Sequence, residues 1–380
     1  MFALAQILPN LRREMGLDEV AGGLIVTTVS FGTVLAFLLV RMADRWGRKR
    51  ILTITIAGYT AFTFLTGFSP NVWAFAGLQL VARIFLIAEW AISMVYAAEE
   101  FPARRRGMVM GVINAFASLG SIVCAGVVPF LLRAQWGWRT VYFVGIVPLV
   151  ILAYARRGLR ETQRFDREPD RSAGRSFFAV WRTPYRKRVL QLGLIWMLTY
   201  ACTHNAVTFW KEFAVAERGL SDGEVGRTIA IAAVASMPLV FLAGKLLDAI
   251  GRRRGSIVIF GVGTTGLFCA YNLQGVWPLT VALIFGIFGA GAVLPALNAF
   301  SAELVPTHLR ADAYAWANNV LGRVLGYVAS PALVGLAASQ VGWGSAVSAT
   351  MALPIVALGF ILLWLPETNA RELEETARAV

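Results

Sequence analysis

The sequence predicts an all-α membrane protein made of two pseudo-symmetric six-helix bundles, and three observations carry that expectation. Of its 380 residues, 57% are hydrophobic and 15% are charged, against about 45–50% and about 25% in soluble domains. A chain so poor in charge cannot cover a water-facing surface of this size, so lipid is its solvent. Apolar runs near or above the ~20 residues that a helix needs to cross the hydrocarbon core recur along its length. Two signatures also repeat at one offset of 204 residues. Asp44-Arg45-Trp46-Gly47-Arg48-Lys49-Arg50 returns as Asp248-Ala249-Ile250-Gly251-Arg252-Arg253-Arg254, and Glu99-x-x-Pro102-x-x-x-Arg106 returns as Glu303-x-x-Pro306-x-x-x-Arg310. Two signatures at one spacing mark a duplicated half.

The apolar runs fall at 20–40, 51–68, 72–98, 107–132, 138–155, 189–210, 224–247, 256–273, 276–301, 312–335 and 343–365, after a short stub from Met1 to Asn10. Their length and their lack of period-two alternation favour helices over strands. The repeat places the counterpart of 189–210 roughly fourteen residues ahead of Met1. The first helix is therefore expected to be incomplete, through a misplaced start codon or a real truncation. The stub has neither the charged n-region nor the cleavage pattern of a signal peptide. These expectations give an N-terminal bundle at 1–155 (helix 1 truncated, helices 2–6), a basic linker at 156–188, a C-terminal bundle at 189–366 (helices 7–12) and a tail at 367–380. Within the linker, Phe177 to Trp181 is amphipathic and reads either as a membrane-surface stretch or as solvated chain.

The net charge of +13 comes from short loops between apolar runs. No aromatic-basic module of the kind that reads bases accompanies it, so nucleic acid is not expected as a partner. Loops 41–50, 104–106, 156–188 and 245–254 carry five, three, eleven and four Arg or Lys residues, whereas 69–71, 274–275 and 339–342 carry none. The positive-inside rule makes the basic side cytoplasmic, together with the C-terminus, with 133–139 dissenting through two Arg. A multi-pass protein of the plasma membrane (a bacterial inner membrane) is the expectation.

Cys124, Cys202 and Cys269 sit in separate apolar segments, and His204 and His308 are too far apart for a metal site. No HExxH, GxSxG or P-loop motif is present. The chain is expected not to be an enzyme and to need no cofactor or metal.

Each repeated turn joins Asp, two residues, Gly and three bases. Gly47 and Gly251 permit the positive φ of a tight interhelical turn, and the Asp can face a helix N-terminus. Glu99 and Glu303 end helices, while Arg106 and Arg310 begin them, so each charge lies at the unfavourable pole of its helix dipole. All four need partners. Pairing among Asp44, Arg48, Glu99, Arg106, Asp248, Arg252, Glu303 and Arg310 would make a cytoplasmic gate.

Here the chain resembles the major facilitator superfamily. Gly244-Lys245-Leu246-Leu247-Asp248-x-x-Gly251-Arg252-Arg253 is similar to that family's loop motif between the second and third helices of each half, although Val40 stands where the first copy usually has Gly. Tyr96-x-x-Glu99-x-x-Pro102-x-x-x-Arg106-Gly107 and Leu365-Pro366-Glu367-Thr368 resemble sugar-porter signatures, with Leu159-Arg160-Glu161-Thr162 as a degraded first-half copy. Glu161 and Glu367 thereby join the gate set. Ala88-Glu89-Trp90 resembles the Gly-Glu-Trp segment of metabolite:proton symporters. The resemblance implies the major facilitator fold, a central cavity lined chiefly by helices 1, 4, 7 and 10, alternating access and a monomer.

Ionisable residues inside spans are costly and mark function by default. Glu89, Ser93, Tyr96 and Glu100 follow one another at spacings of four, three and four on one stripe. Glu89 suits proton coupling or, alternatively, a hydrogen-bonded packing role. Arg83, six residues before it, lies on another face and suits an anionic substrate, although related symporters place this Arg where the chain has Gln79. Arg323, His204 and Asn205 are further substrate-cavity candidates, His204 also reading as an interhelical packing residue. The functional expectation is proton-coupled symport of a small polar or carboxylated metabolite. Alternatives are a sugar facilitator or sugar/proton symporter, a drug-efflux antiporter, and a non-transporting receptor or truncated fragment.

Overall fold

The computed structural model describes residues 2–46, 48–100, 119–120, 122–155 and 179–368. Every regular element among them is helical, as lipid requires of a backbone that must satisfy its own N–H and C=O groups. α1 is Phe2–Met15, α2 Glu19–Trp46, α3 Arg48–Thr66, α4 Val72–Glu100, α5 Ile122–Leu131 and α6 Arg139–Ala155. A 3-10 turn, Ala179–Arg182, leads to α7 Arg186–Thr208, followed by α8 Trp210–Ala216, α9 Asp222–Ile250, α10 Arg252–Asn272 and α11 Val276–Glu303. α12, Thr307–Tyr314, runs on as two π-helical stretches, Ala315–Gly322 and Val324–Ala329. α13, Ser330–Thr350, is broken at Gly342 (φ 81°), and α14 is Ala352–Trp364.

Six helical stretches among the described residues are long and apolar enough to cross a membrane. The other expected spans are helical too, where described, but α3 and α7 carry the Arg and Lys residues that open them and several hydroxyls. α1 extends past the expected stub to Met15 and spans about 21 Å at 1.5 Å per residue. Half of the expected span 107–132 lies outside the described residues. Phe177 to Trp181 is corrected where it is described. Val180 is 0% exposed and Trp181 packs edge-on to Trp316 at 5.1 Å, so these two residues dock on protein rather than on lipid or in water.

The chain divides into two compact units, one of Met1–Pro9, Asp18–Leu24 and Ser176–Val380, the other of Asn10–Leu17 and Ile25–Arg175. In the second of these, α3 packs on α4 and α6, and Ala36 of α2, Ile51 and Leu52 of α3 and Ala88 and Ile92 of α4 form a core cluster. In the first, α7 runs through the centre against the π-helical stretches, α13 and α14, and its Trp196 belongs to a core that includes Phe260, Phe300 and Ile361. α9 opens with a full capping box, in which Ser221 and Glu224 exchange side-chain and backbone bonds.

Candidate functional site

Three groups of polar side chains stand out. The first is built on α7 and the π-helical stretches that follow α12. These helices touch backbone to backbone: a Cβ at Gly326 would lie 2.2 Å from the carbonyl oxygen of Met197. Close approach brings Tyr200 and His204, one turn apart on α7, against Arg323 and Tyr327. The Arg323 guanidinium lies 5.8 Å from the centre of the Tyr200 ring, and the His204 and Tyr327 rings stack at 3.6 Å. Tyr200 Oη donates to Asn318 Oδ1 at 3.2 Å, and Asn318 Nδ2 donates to Tyr314 Oη at 2.9 Å. Tyr314 in turn donates to Asn298 at 2.9 Å.

Arg323 has phenols for neighbours, Tyr200, Tyr314 and Tyr327, and no ion pair with any carboxylate among the described residues. π-helical turns are rare and concentrate at functional sites; here Arg323 joins the two stretches and Tyr327 lies in the second. Asn205 is fully buried and ties α7 to α13 by donating to Ser330 Oγ at 2.8 Å. His204 also contacts Thr208 at 3.4 Å.

The second group lies on α2, α3 and α4. Arg83 Nε donates to Thr33 Oγ1 at 3.2 Å. Tyr59 lies beside Thr63 and within range of the charges of both Arg83 and Glu89. Glu89 is 9% exposed, its carboxyl held inside the apolar stretch.

The third group gathers the repeated motifs of the second half on the side of the basic loops. Gly251 adopts φ 93°, the positive φ its turn demands. The carboxylate at the N-terminus of α10 belongs to Glu367, which accepts from the backbone N–H of Arg252 at 2.7 Å and of Arg253 at 3.0 Å. The Asp of the turn, which was free to face this N-terminus, does not take the place. Asp248 instead lies in the last turn of α9, 72% exposed, and pairs with Arg252 four residues on. Arg252 also reaches Glu303 at 3.3 Å, and the Thr368 hydroxyl donates to the same carboxylate. Pro366 ends α14, whose last carbonyls, at Leu362 and Trp364, accept from Arg253 and Arg188. The start of α10 and the end of α14 thus each meet the charge their dipoles favour. The unfavourable position of Glu303 is offset inside this one unit.

Of the expected gate residues, the structure joins Asp248, Arg252, Glu303 and Glu367. Arg106 and Glu161 lie outside the described residues, as do the side chains of Asp44, Arg48, Glu99 and Arg310. The tyrosines, Thr33 and Tyr59 went unnoticed in the sequence; the one-turn spacing from Tyr200 to His204 and from Arg323 to Tyr327 was the available sign.

Membrane-length apolar helices, with a charge-capped loop described in the second half, are the architecture of a helical membrane transporter. The chain belongs to the Major Facilitator Superfamily, whose sequence model matches residues 1–324 and 213–379. It is similar to a probable 4-methylmuconolactone transporter of Cupriavidus pinatubonensis, 27% identical over 98% of this chain and 88% of that one. It is also similar to a gallate transporter of Pseudomonas putida, 25% identical over 95% and 84%. Among solved structures, a bacterial homologue of the human lysosomal transporter Spinster superposes with TM-score 0.80 at 15% identity, over 95% and 92% of the two chains. A D-xylose-proton symporter gives 0.77 at 17%, over 97% and 96%. The protein is therefore a membrane transporter and not an enzyme.

Proposed function

We propose that this transporter moves a small, flat, carboxylated organic metabolite together with protons by alternating access. The observation that carries the reading is Arg323, a guanidinium set among tyrosine rings with no ion pair to a carboxylate among the described residues. A cation inside a membrane-spanning helix calls for an anion, and the surrounding rings favour a planar one. The relatives named for 4-methylmuconolactone and gallate point to organic acids as well.

In this reading Arg323 meets the carboxylate, Tyr200, Tyr327 and His204 line its ring, and Asn205 braces α7. Glu89 carries the proton. Asp44, Arg48, Glu99, Arg106, Asp248, Arg252, Glu303, Arg310, Glu161 and Glu367 form the gate on a cytoplasmic face that also holds the C-terminus. The protein works as a monomer in a bacterial inner membrane.

The test uses the full chain in liposomes, a panel of ring carboxylates and sugars, and a trapped pH dye. Acid uptake accompanied by internal acidification, lost in Arg323→Gln, is the expected result. Uptake of sugars in place of acids, or acid uptake unaltered in Arg323→Gln, refutes the substrate reading. Acid uptake without proton movement refutes the coupling.

A further inference from the structure

α8 looks like a polar loop in sequence, with Lys211 and Glu212 side by side, yet Trp210, Lys211, Glu212, Phe213 and Ala214 are all buried. It is fixed firmly. Trp210 Nε1 donates to the Ala270 carbonyl at 3.1 Å, and the Phe213 ring packs on Tyr271 at 4.8 Å. Just past its end, Glu217 accepts from the N–H of Gly344 at 3.0 Å, where the helix resumes after the Gly342 break. α8 is a platform on which Lys211 is held 1% exposed.

From that platform the ammonium pairs with Asp222 at 2.6 Å and donates to the main-chain carbonyl of Gln6, in the same compact unit but 205 residues away on α1. Carbonyls inside a helix are normally taken by the N–H four residues on. Pro9 has no N–H to give, so it frees the Ala5 carbonyl and loosens the ladder in this turn; the Gln6 carbonyl, whose partner in the ladder is the Asn10 N–H, has a second lone pair for the lysine. Leu4, Ala5, Ile7 and Leu8 around Gln6 are buried as well. The start of α2 is held in the same unit. A Cβ at Gly335 of α13 would lie 2.7 Å from the Glu19 carbonyl oxygen and 2.9 Å from the Gly23 Cα.

We propose that Lys211 is a latch: its bond to the Gln6 carbonyl holds the first turns of α1 on the α8 platform in the conformation seen here, and is released and remade in each transport cycle. A carbonyl of the main chain is present whatever residue stands at position 6, so the latch depends on Lys211 and not on the Gln6 side chain. Asp222 stays with the lysine at the root of α9. When α1 leaves, the ammonium therefore keeps a counter-charge, and the buried cation is never bare. That makes the contact breakable as well as strong.

The test reads the accessibility of α1 in the full-length protein. Cys124, Cys202 and Cys269 are replaced by Ala, Gln6→Cys is introduced, and its modification by a membrane-impermeant maleimide is timed from each face of sealed vesicles. Rates are scaled to the protein recovered in the membrane. A charge-assisted bond of this kind corresponds to roughly tenfold or more in the closed-to-open ratio. Lys211→Met is expected to raise the labelling rate from one face by about that factor, and Lys211→Arg, which keeps a charged donor, to stay within about threefold of the lysine protein. Where Lys211→Met is not recovered in the membrane, Lys211→Gln serves with the same expectation. A neutral variant that labels at the lysine rate from both faces overturns the latch. No substrate enters the assay, so its outcome is separate from the substrate reading.

Discussion

Replacing Glu367 with Ala should loosen the second-half unit measurably, because this carboxylate completes the N-terminus of α10 from 115 residues away. Its two oxygens accept from Arg252 N at 2.7 Å and Arg253 N at 3.0 Å, two of the donors that a helix start leaves unmatched. Loss of a capping side chain costs about 0.5–2 kcal/mol, and loss of a negative charge at a helix N-terminus about 0.3–1 kcal/mol. Glu367 is only part-buried, so the sum is held to about 2 kcal/mol for Glu367→Ala. A compact unit of this size shifts by about 2–4 °C per kcal/mol, so the melting midpoint should fall by about 4–8 °C. Glu367→Gln keeps one acceptor oxygen and loses the charge, and should fall about half as far. The assay is tryptophan fluorescence of the purified protein in detergent during heating. An Ala variant melting within about 1 °C of the parent would mean that the contact contributes nothing, and the capping argument fails.

Other substitutions test neighbouring claims. Gly251→Ala should cost more than about 1 kcal/mol, since φ is 93° and a Cβ would meet Glu367 Oε2 at 2.8 Å, whereas Gly244→Ala, with open space around it, should melt like the parent. Gly326→Ala places a Cβ 2.2 Å from the Met197 carbonyl and should push the π-helical stretch off α7; uptake should fall more steeply than the amount of protein in the membrane, and parallel losses of the two would refute a local effect on the site. Arg323→Lys should raise the half-saturating concentration of a transported carboxylate by about tenfold, because lysine keeps the charge and loses the planar fork; a neutral substrate would show no such change. Glu89→Gln should retain substrate exchange across the membrane while abolishing uphill uptake driven by a pH gradient, and undiminished uphill uptake would remove Glu89 from proton coupling.

Much of the architecture was legible because helix formation in lipid is a local matter. A run of about twenty apolar residues must close its own hydrogen bonds wherever it lies, so spans such as 72–98, 224–247 and 276–301 appear nearly where the sequence placed them. The 204-residue repeat located Gly251 and Glu303, and helix-dipole reasoning required that Glu303 find partners. Which partners it found was not legible. Arg252 and Thr368 reach it through space, and Glu367 rather than Asp248 takes the helix N-terminus, because the end of α14 returns beside the start of α10.

The same division holds for the candidate site. Arg323, His204 and Glu89 could be marked from sequence alone, since a charged or ionisable side chain in an apolar run is anomalous wherever it occurs. The rings around Arg323 could not, because tyrosines on a membrane helix are unremarkable until packing sets them against a cation. Nor does the sequence show that Lys211, just past the expected span 189–210, is buried. Sequence by itself determined that these segments are helices, that they come in duplicate, and where charge is out of place. Only the tertiary structure decided which charges meet, because solvation and backbone bonding act over a few residues, whereas the partner of a buried charge is chosen by helix packing across the whole chain.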